Sequence, residues 1–260
     1  MAETFLFFDT ETTGTPRSRN APLTDLENWP RVVQVAWLLA DDCKRELESG
    51  EFIIYPDGFT IPDEAQRIHG ISTAQAIREG VPLSDVLSSF NGLVARATRL
   101  VAHNFEFDSK VLGAEFLRLI RPNPLPGRGF HCTMKSGTDI CRLPGPRGQY
   151  KWPTLAELHR ALFGTVPATA HRALADVRSC SNCYFEMVRR HLIGNGRTAT
   201  DSNTDDLNWI EGLIAMAEER DWFDDDFLQS VYAQCTERGT ITARQREALE
   251  NIEKMFSRRS

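Results

Sequence analysis

Asp9 and Glu11 close the apolar run Phe5-Leu6-Phe7-Phe8, and Thr12-Thr13-Gly14 then turns the chain away. A run of that kind fills the middle of a sheet, and side chains two apart on a strand share one face. Carboxylates held so close repel each other unless a proton or a cation lies between them. Two further stretches carry acids. VAHNFEFDSKVL (101–112) passes from strand to helix with Asp108 in the first helical turn, and HRALADVRSC (171–180) leads into a long amphipathic helix that holds Asp176. Strand ends and helix starts are where a sheet protein presents its site. Four carboxylates without sulfur select hard divalent cations, Mg²⁺ or Mn²⁺. A pair of such ions about 4 Å apart holds both the attacking water and the leaving oxygen of a phosphodiester. That chemistry also needs a proton acceptor active near neutral pH, and His171 is the candidate. It lies five residues before Asp176, about 140° away round a regular helix, so it is expected in the turn just ahead of that helix.

These residues need a sheet with helices packed on it. Strands are expected near 4–9, 32–40, 51–56, 99–103 and 130–134, and helices near 63–69, 83–97, 106–120, 154–163 and 172–193. Three early strands joined by turns suggest an antiparallel meander, and the later ones are separated by helices, which makes an α/β mixed sheet flanked by helices. Thr154 and Glu157 have capping-box spacing. Residues 1–195 form one expected domain and 196–206 a small, polar linker. Residues 207–260 form a small C-terminal helical domain, with helices near 207–219, 225–237 and 243–256. Its expected core contains Trp209, Ile210, Leu213, Phe227, Val231, Leu249, Ile252 and Phe256, and a segment this short is marginal alone and needs to dock on the first domain or a partner.

The net charge of −6 sits in the tail: residues 196–260 hold 14 acids and 8 bases, whereas residues 1–195 hold 22 of each. An acidic total therefore does not exclude a phosphate-bearing substrate. The N-terminus shows no basic, apolar export signal, and no run approaches the length of a membrane span, which points to a cytoplasmic protein without membrane contact. Six scattered cysteines then read as reduced core residues rather than a disulfide framework, and Cys180-x-x-Cys183 as helix packing rather than zinc binding.

The motifs D-x-E (Asp9, Glu11), H-N-x-x-F-D (103–108) and H-x-A-x-x-D (171–176), in that order, resemble the DEDDh (DnaQ-like) family of 3′→5′ exonucleases over residues 3–193. The resemblance implies an RNase H-like fold, two Mg²⁺ or Mn²⁺ ions, nucleic-acid 3′ ends as partner and stepwise release of nucleoside 5′-monophosphates. It places the metal carboxylates on Asp9, Glu11, Asp108 and Asp176 and the general base on His171, with Arg172 where the tyrosine branch would carry its Tyr. It further implies substrate contacts at Thr10, Thr12, Thr13, Gly14, His69, Ile71 and Asn104. DNA is the favoured substrate. The alternatives are an exoribonuclease, or a non-catalytic nucleic-acid-binding or polymerase accessory module whose C-terminal helices recruit a protein partner or a second copy.

Each element alone has a plainer reading. Asp-x-Glu after a strand is commonly a solvated loop end, His69 suits a helix C-terminus, and His103 suits a structural role at a strand end. The loop RLPGPRGQYKWP (142–153) mixes Arg142, Arg147 and Lys151 with Tyr150 and Trp152; it reads as a strand-binding flap or as a Pro/Gly connector with solvated charges.

Overall fold

A computed structural model of the 260-residue chain describes residues 3–166, 173–193, 209–210, 213–214, 216–217, 225–238 and 241–257. The chain divides into two compact units, Met1–Asn195 and Gly196–Ser260.

The first unit is built on five strands: β1 (Thr4–Thr12), β2 (Val32–Asp41), β3 (Glu46–Ile53), β4 (Arg99–Ala102) and β5 (Phe130–Cys132), in the spatial order β3-β2-β1-β4-β5. The first three pair antiparallel, while β4 and β5 run parallel to β1. The sheet is therefore mixed, as expected. β1 is longer than the expected 4–9, so both Asp9 and Glu11 lie within the strand, opposite Ala36 and Gln34. β3 is the larger correction. The apolar stretch at 51–56 suggested a strand there, yet pairing covers the mostly polar Glu46–Ile53, and Ile54 leaves it to bridge Val81.

Seven helices among the described residues cover the sheet: α1 (Asp63–His69), α2 (Thr73–Glu79), α3 (Leu83–Arg96), α4 (Phe105–Arg118), α5 (Thr133–Cys141), α6 (Leu155–Phe163) and α7 (Ala173–Arg189). Neither α2 nor α5 was expected. The capping box of α6 is formed: Thr154 Oγ1 accepts from the Glu157 amide at 3.2 Å, and the Glu157 carboxylate accepts from the Thr154 amide at 2.8 Å.

Alternation along β1 divides the core. Leu6 and Phe8 point to one face, where Phe8 meets Phe90 of α3 and Phe105 of α4 at ring separations of 5.3 and 5.6 Å. Phe5 and Phe7 point to the other, where Tyr184 of α7 lies 5.4 and 5.7 Å away. One acid is built into this core. Glu115, fully buried on α4, accepts from Arg31 Nε and the Val32 amide, both at 2.9 Å, and pairs with Arg118 at 3.2 Å. Two flanking guanidiniums and a backbone N–H offset its desolvation and pin the start of β2 to α4.

In the second unit, α8 (Asp226–Arg238) and α9 (Ala243–Ser257) enclose a small core of Ile210, Leu213, Leu228, Val231, Cys235, Leu249 and Phe256. Trp209 and Ile252 pack against it, but Phe227 is exposed rather than part of the core. Most of the expected helix at 207–219 and the whole linker at 196–206 lie outside the described residues. None of the six cysteines is in a disulfide; Cys132, Cys180, Cys183 and Cys235 are buried, whereas Cys43 is exposed and no core residue. No helix among the described residues is long and apolar enough to cross a membrane.

Candidate active site

The alternation that sorts the phenylalanines also sorts the acids. Asp9 and Glu11 continue the Phe5, Phe7 series and so face α7, whose first turn carries Asp176. Carboxylate oxygens of Asp9, Glu11 and Asp176 all lie within 4.8 Å of one another. The start of α7 is held in place from β3, where the Glu51 carboxylate accepts from the Leu174 amide at 3.0 Å. Thr10 points the opposite way, to α4, and meets Asp108. Asp108 Oδ1 accepts from the Thr10 hydroxyl at 2.7 Å and from its amide at 3.2 Å. Two helices and one strand thus deliver four acids to the same end of the sheet.

Their electrostatics show what the cluster lacks. Burial, then the charge of Asp176, raises Glu11 from its ordinary 4.5 to about 7. Burial also raises Asp108 to about 7, against the two Thr10 hydrogen bonds, which favour its ionised form. Asp9 is held well above its ordinary value by burial and by the charges of Asp108, Glu11 and Asp176. A set made only of hard oxygen donors, with Asp9, Glu11 and Asp108 held above the usual carboxylate range, fits divalent cations of the Mg²⁺ or Mn²⁺ type.

The remaining expected residues separate into several groups. Thr10 is buried, and its amide and hydroxyl both donate to Asp108. Thr12 donates its hydroxyl to the Gly14 carbonyl at 2.7 Å, and Thr13 exchanges bonds with Arg31, its amide to the Arg31 carbonyl at 2.9 Å and its Oγ1 accepting from the Arg31 amide at 3.0 Å. Gly14 has φ +150°, a backbone state that residues with a side chain rarely adopt. His69 ends α1, its Nδ1 accepting from the Ile71 amide at 3.1 Å, and burial lowers its pKa. Ile71 is buried with Val33, Ile61 and Ala65, leaving its side chain little surface for a substrate. Asn104 is left-handed at φ 82° and starts α4, its carbonyl accepting from the Phe107 amide at 2.9 Å. His171 lies outside the described residues.

His103 has the structural role its place suggested. It is bonded through Nδ1 to Thr133 Oγ1 and through Nε2 to the Pro153 carbonyl, each at 3.0 Å, and burial lowers it to about 4. A carbonyl only accepts, so the proton is on Nε2 and the neutral ring fastens the 142–153 loop to the core. Of that loop's expected binding residues, Lys151 pairs with Glu157 at 2.7 Å and the Arg142 Nε donates to the Asp139 carbonyl at 3.2 Å. Tyr150 and Trp152 are exposed, at 48% and 52%. Sequence reasoning missed the Thr10–Asp108 pair. Strand alternation contained the signal, since it places Thr10 on the α4 side.

The chain is similar to several known proteins. A family model described as Exonuclease (RNase_T) matches residues 6–184. The chain is 28% identical over 193 residues to DNA polymerase III subunit epsilon of Treponema pallidum (strain Nichols), covering 74% of this chain and 80% of that one. Among solved structures it resembles E. coli exonuclease I in complex with an oligonucleotide, with TM-score 0.58 and 21% identity over 82% of this chain and 46% of the other. Exonuclease I from Methylocaldum szegediense gives TM-score 0.60 at 20% identity, over 80% and 45%. The chain thus spans less than half the length of these exonuclease I chains, and at such identity the likeness is one of fold, an RNase H-like mixed sheet flanked by helices. With the family model covering most of the first unit, the chain belongs to the exonuclease family.

Proposed function

We propose that the chain is a metal-dependent 3′→5′ exonuclease that hydrolyses the terminal phosphodiester of single-stranded or frayed nucleic acid and releases nucleoside 5′-monophosphates. The observation that carries this reading is the convergence of Asp9, Glu11 and Asp176 within 4.8 Å, with Asp108 held beside them by Thr10. When bound, two Mg²⁺ or Mn²⁺ ions would neutralise charge on the phosphate and acidify a water. Asp9, Glu11, Asp108 and Asp176 would hold the ions. His171, with an imidazole pKa suited to neutral pH, accepts the proton of the attacking water. The Thr12–Gly14 backbone, braced by Arg31, supports the terminal nucleotide, and His69 and Asn104 flank it. DNA is the favoured substrate because the curated relative is a DNA polymerase subunit.

Single-stranded DNA and RNA oligonucleotides labelled at the 5′ end test this with Mn²⁺ and then with EDTA. A ladder shortening from the 3′ end, stopped by EDTA and absent in Asp9→Ala and Asp176→Ala, is expected, with DNA digested faster. His171→Ala should lose about two to four orders of magnitude in rate. Immediate release of the 5′ label, or digestion that persists in EDTA, would overturn the proposal; faster digestion of RNA would overturn the DNA preference alone.

A further inference from the structure

β1, β4 and β5 are parallel, so their C-terminal ends reach one edge of the sheet, and a groove of about 360 Å³ opens there. Thr15 follows β1, Asn104 and Phe107 follow β4, and Met134 and Lys135 follow β5; all line the groove. None of the four acids and none of Thr12–Gly14 does, so the groove adjoins the acid cluster rather than containing it.

Its lining combines flat rings with positive charge. Trp29 is a rigid wall, only 4% exposed, with its indole N–H donated to the Pro22 carbonyl at 3.1 Å and the Lys110 ammonium 5.5 Å from its ring. Trp152 is the opposite case, a ring 52% exposed whose backbone is anchored because the next carbonyl, Pro153, accepts from half-buried His103. The lining carries three cations, Arg19, Lys110 and Lys135, and one carboxylate, Glu106. Lys110 is committed to Glu106 at 2.9 Å and to the Arg19 carbonyl at 3.0 Å, whereas Lys135 stands 3.4 Å from Glu106 and is exposed. An acidic peptide would answer the charge but leave the open indole without a flat partner; a nucleotide answers both.

We infer that this groove holds a nucleotide upstream of the scissile 3′ end, its base stacked on Trp152 and its phosphate facing Lys135 and Arg19. The inference rests on the exonuclease reading and adds to it a second nucleotide position, whose stacking ring (Trp152) and cations (Lys135, Arg19) lie outside the acid motifs. Base stacking of this kind tolerates every base, so the groove would contribute grip rather than sequence choice.

Three proteins, wild type, Trp152→Ala and Trp152→Phe, distinguish the possibilities. Each is measured on an oligonucleotide and on the p-nitrophenyl ester of thymidine 5′-monophosphate, which has no upstream nucleotide. Trp152→Ala should lose about tenfold more kcat/KM on the oligonucleotide than on the ester, through KM, with Trp152→Phe recovering most of it. Binding of a fluorescent oligo-dT in EDTA should weaken by a similar factor, and Lys135→Gln should lower the slope of log Kd against log salt by about 0.7. Equal losses on both substrates, or oligo-dT binding within twofold of wild type in Trp152→Ala, would overturn the inference. So would tighter binding of a poly-glutamate peptide than of oligo-dT. A wild type inert on both substrates would instead sink the exonuclease reading beneath it.

Discussion

Replacing Glu11 by Gln should stabilise the metal-free protein at alkaline pH while abolishing its activity. Glu11 is raised from 4.5 to about 7 by burial and by the charge of Asp176. The folded state therefore keeps a proton that the unfolded chain has already released. For a raised carboxyl the sign is fixed: its favourable contribution is complete below 4.5 and is lost as pH climbs through about 7. Gln carries no such titration. At about 1.4 kcal/mol per pKa unit, the wild type gives up about 3 kcal/mol by about pH 8 and about 1 kcal/mol at about pH 5. Urea unfolding of both proteins in EDTA at those two pH values measures the difference directly. Glu11→Gln should lead by about 3 kcal/mol at the higher pH and by about 1 at the lower. Mn²⁺ should then narrow or reverse the gap, since it stabilises the wild type through a full set of donors. A variant no more stable than wild type at about pH 8 in EDTA would refute the argument that these acids are held against their own repulsion.

Other perturbations follow from the same contacts. Thr10→Val removes the 2.7 Å hydroxyl bond to Asp108 while leaving the amide bond. Because both bonds favour the ionised carboxylate, the acidic limb of the rate–pH profile should move to higher pH, with kcat about tenfold lower at neutrality. An unmoved limb would argue against Thr10 as the residue that positions Asp108. Glu115→Ala should destabilise the first unit by about 3–5 kcal/mol in urea, because it strands the partly buried Arg31 and Arg118 and an amide at the start of β2. A cost under about 1 kcal/mol would mean that water replaces the carboxylate there.

The acid motifs were legible because each fell beside a pattern that fixes its orientation. Asp9 and Glu11 extend an apolar alternation, and Asp108 sits in the first turn of a helix that follows a strand. Where elements were missed or misplaced, that patterning was weak. β3 reads ELESGEFI because it is an edge strand with several exposed acids, so the apolar stretch after it drew the expected strand several residues too late. α5 reads TMKSGTDIC, with a glycine mid-helix that lowers its propensity. A Cβ at Gly137 would come within 2.9 Å of Leu158, so the glycine serves the close approach of α6, a tertiary reason that no local window contains. Glu115 was legible in principle, since it lies four residues after Val111 on the buried stripe of α4. Its partners at the start of β2, Arg31 and the Val32 amide, were not. Trp152 was legible as an aromatic of a strand-binding flap, but the anchoring of its neighbour Pro153 by His103 was not.

Because β1 hands its odd residues to α7 and its even residues to α3 and α4, its reading frame is fixed by two unlike environments at once. Losing or gaining one codon between Phe5 and Asp9 would swap them wholesale. Phenylalanines would slide past their sockets, the hydroxyl of Thr10 would take the place of a carboxylate, and charge would be driven into hydrocarbon. A change of length is therefore costly in this short span, while exposed loop positions away from the anchored residues tolerate it more readily. Evolution can restyle such a molecule's loops far more readily than it can shift this strand.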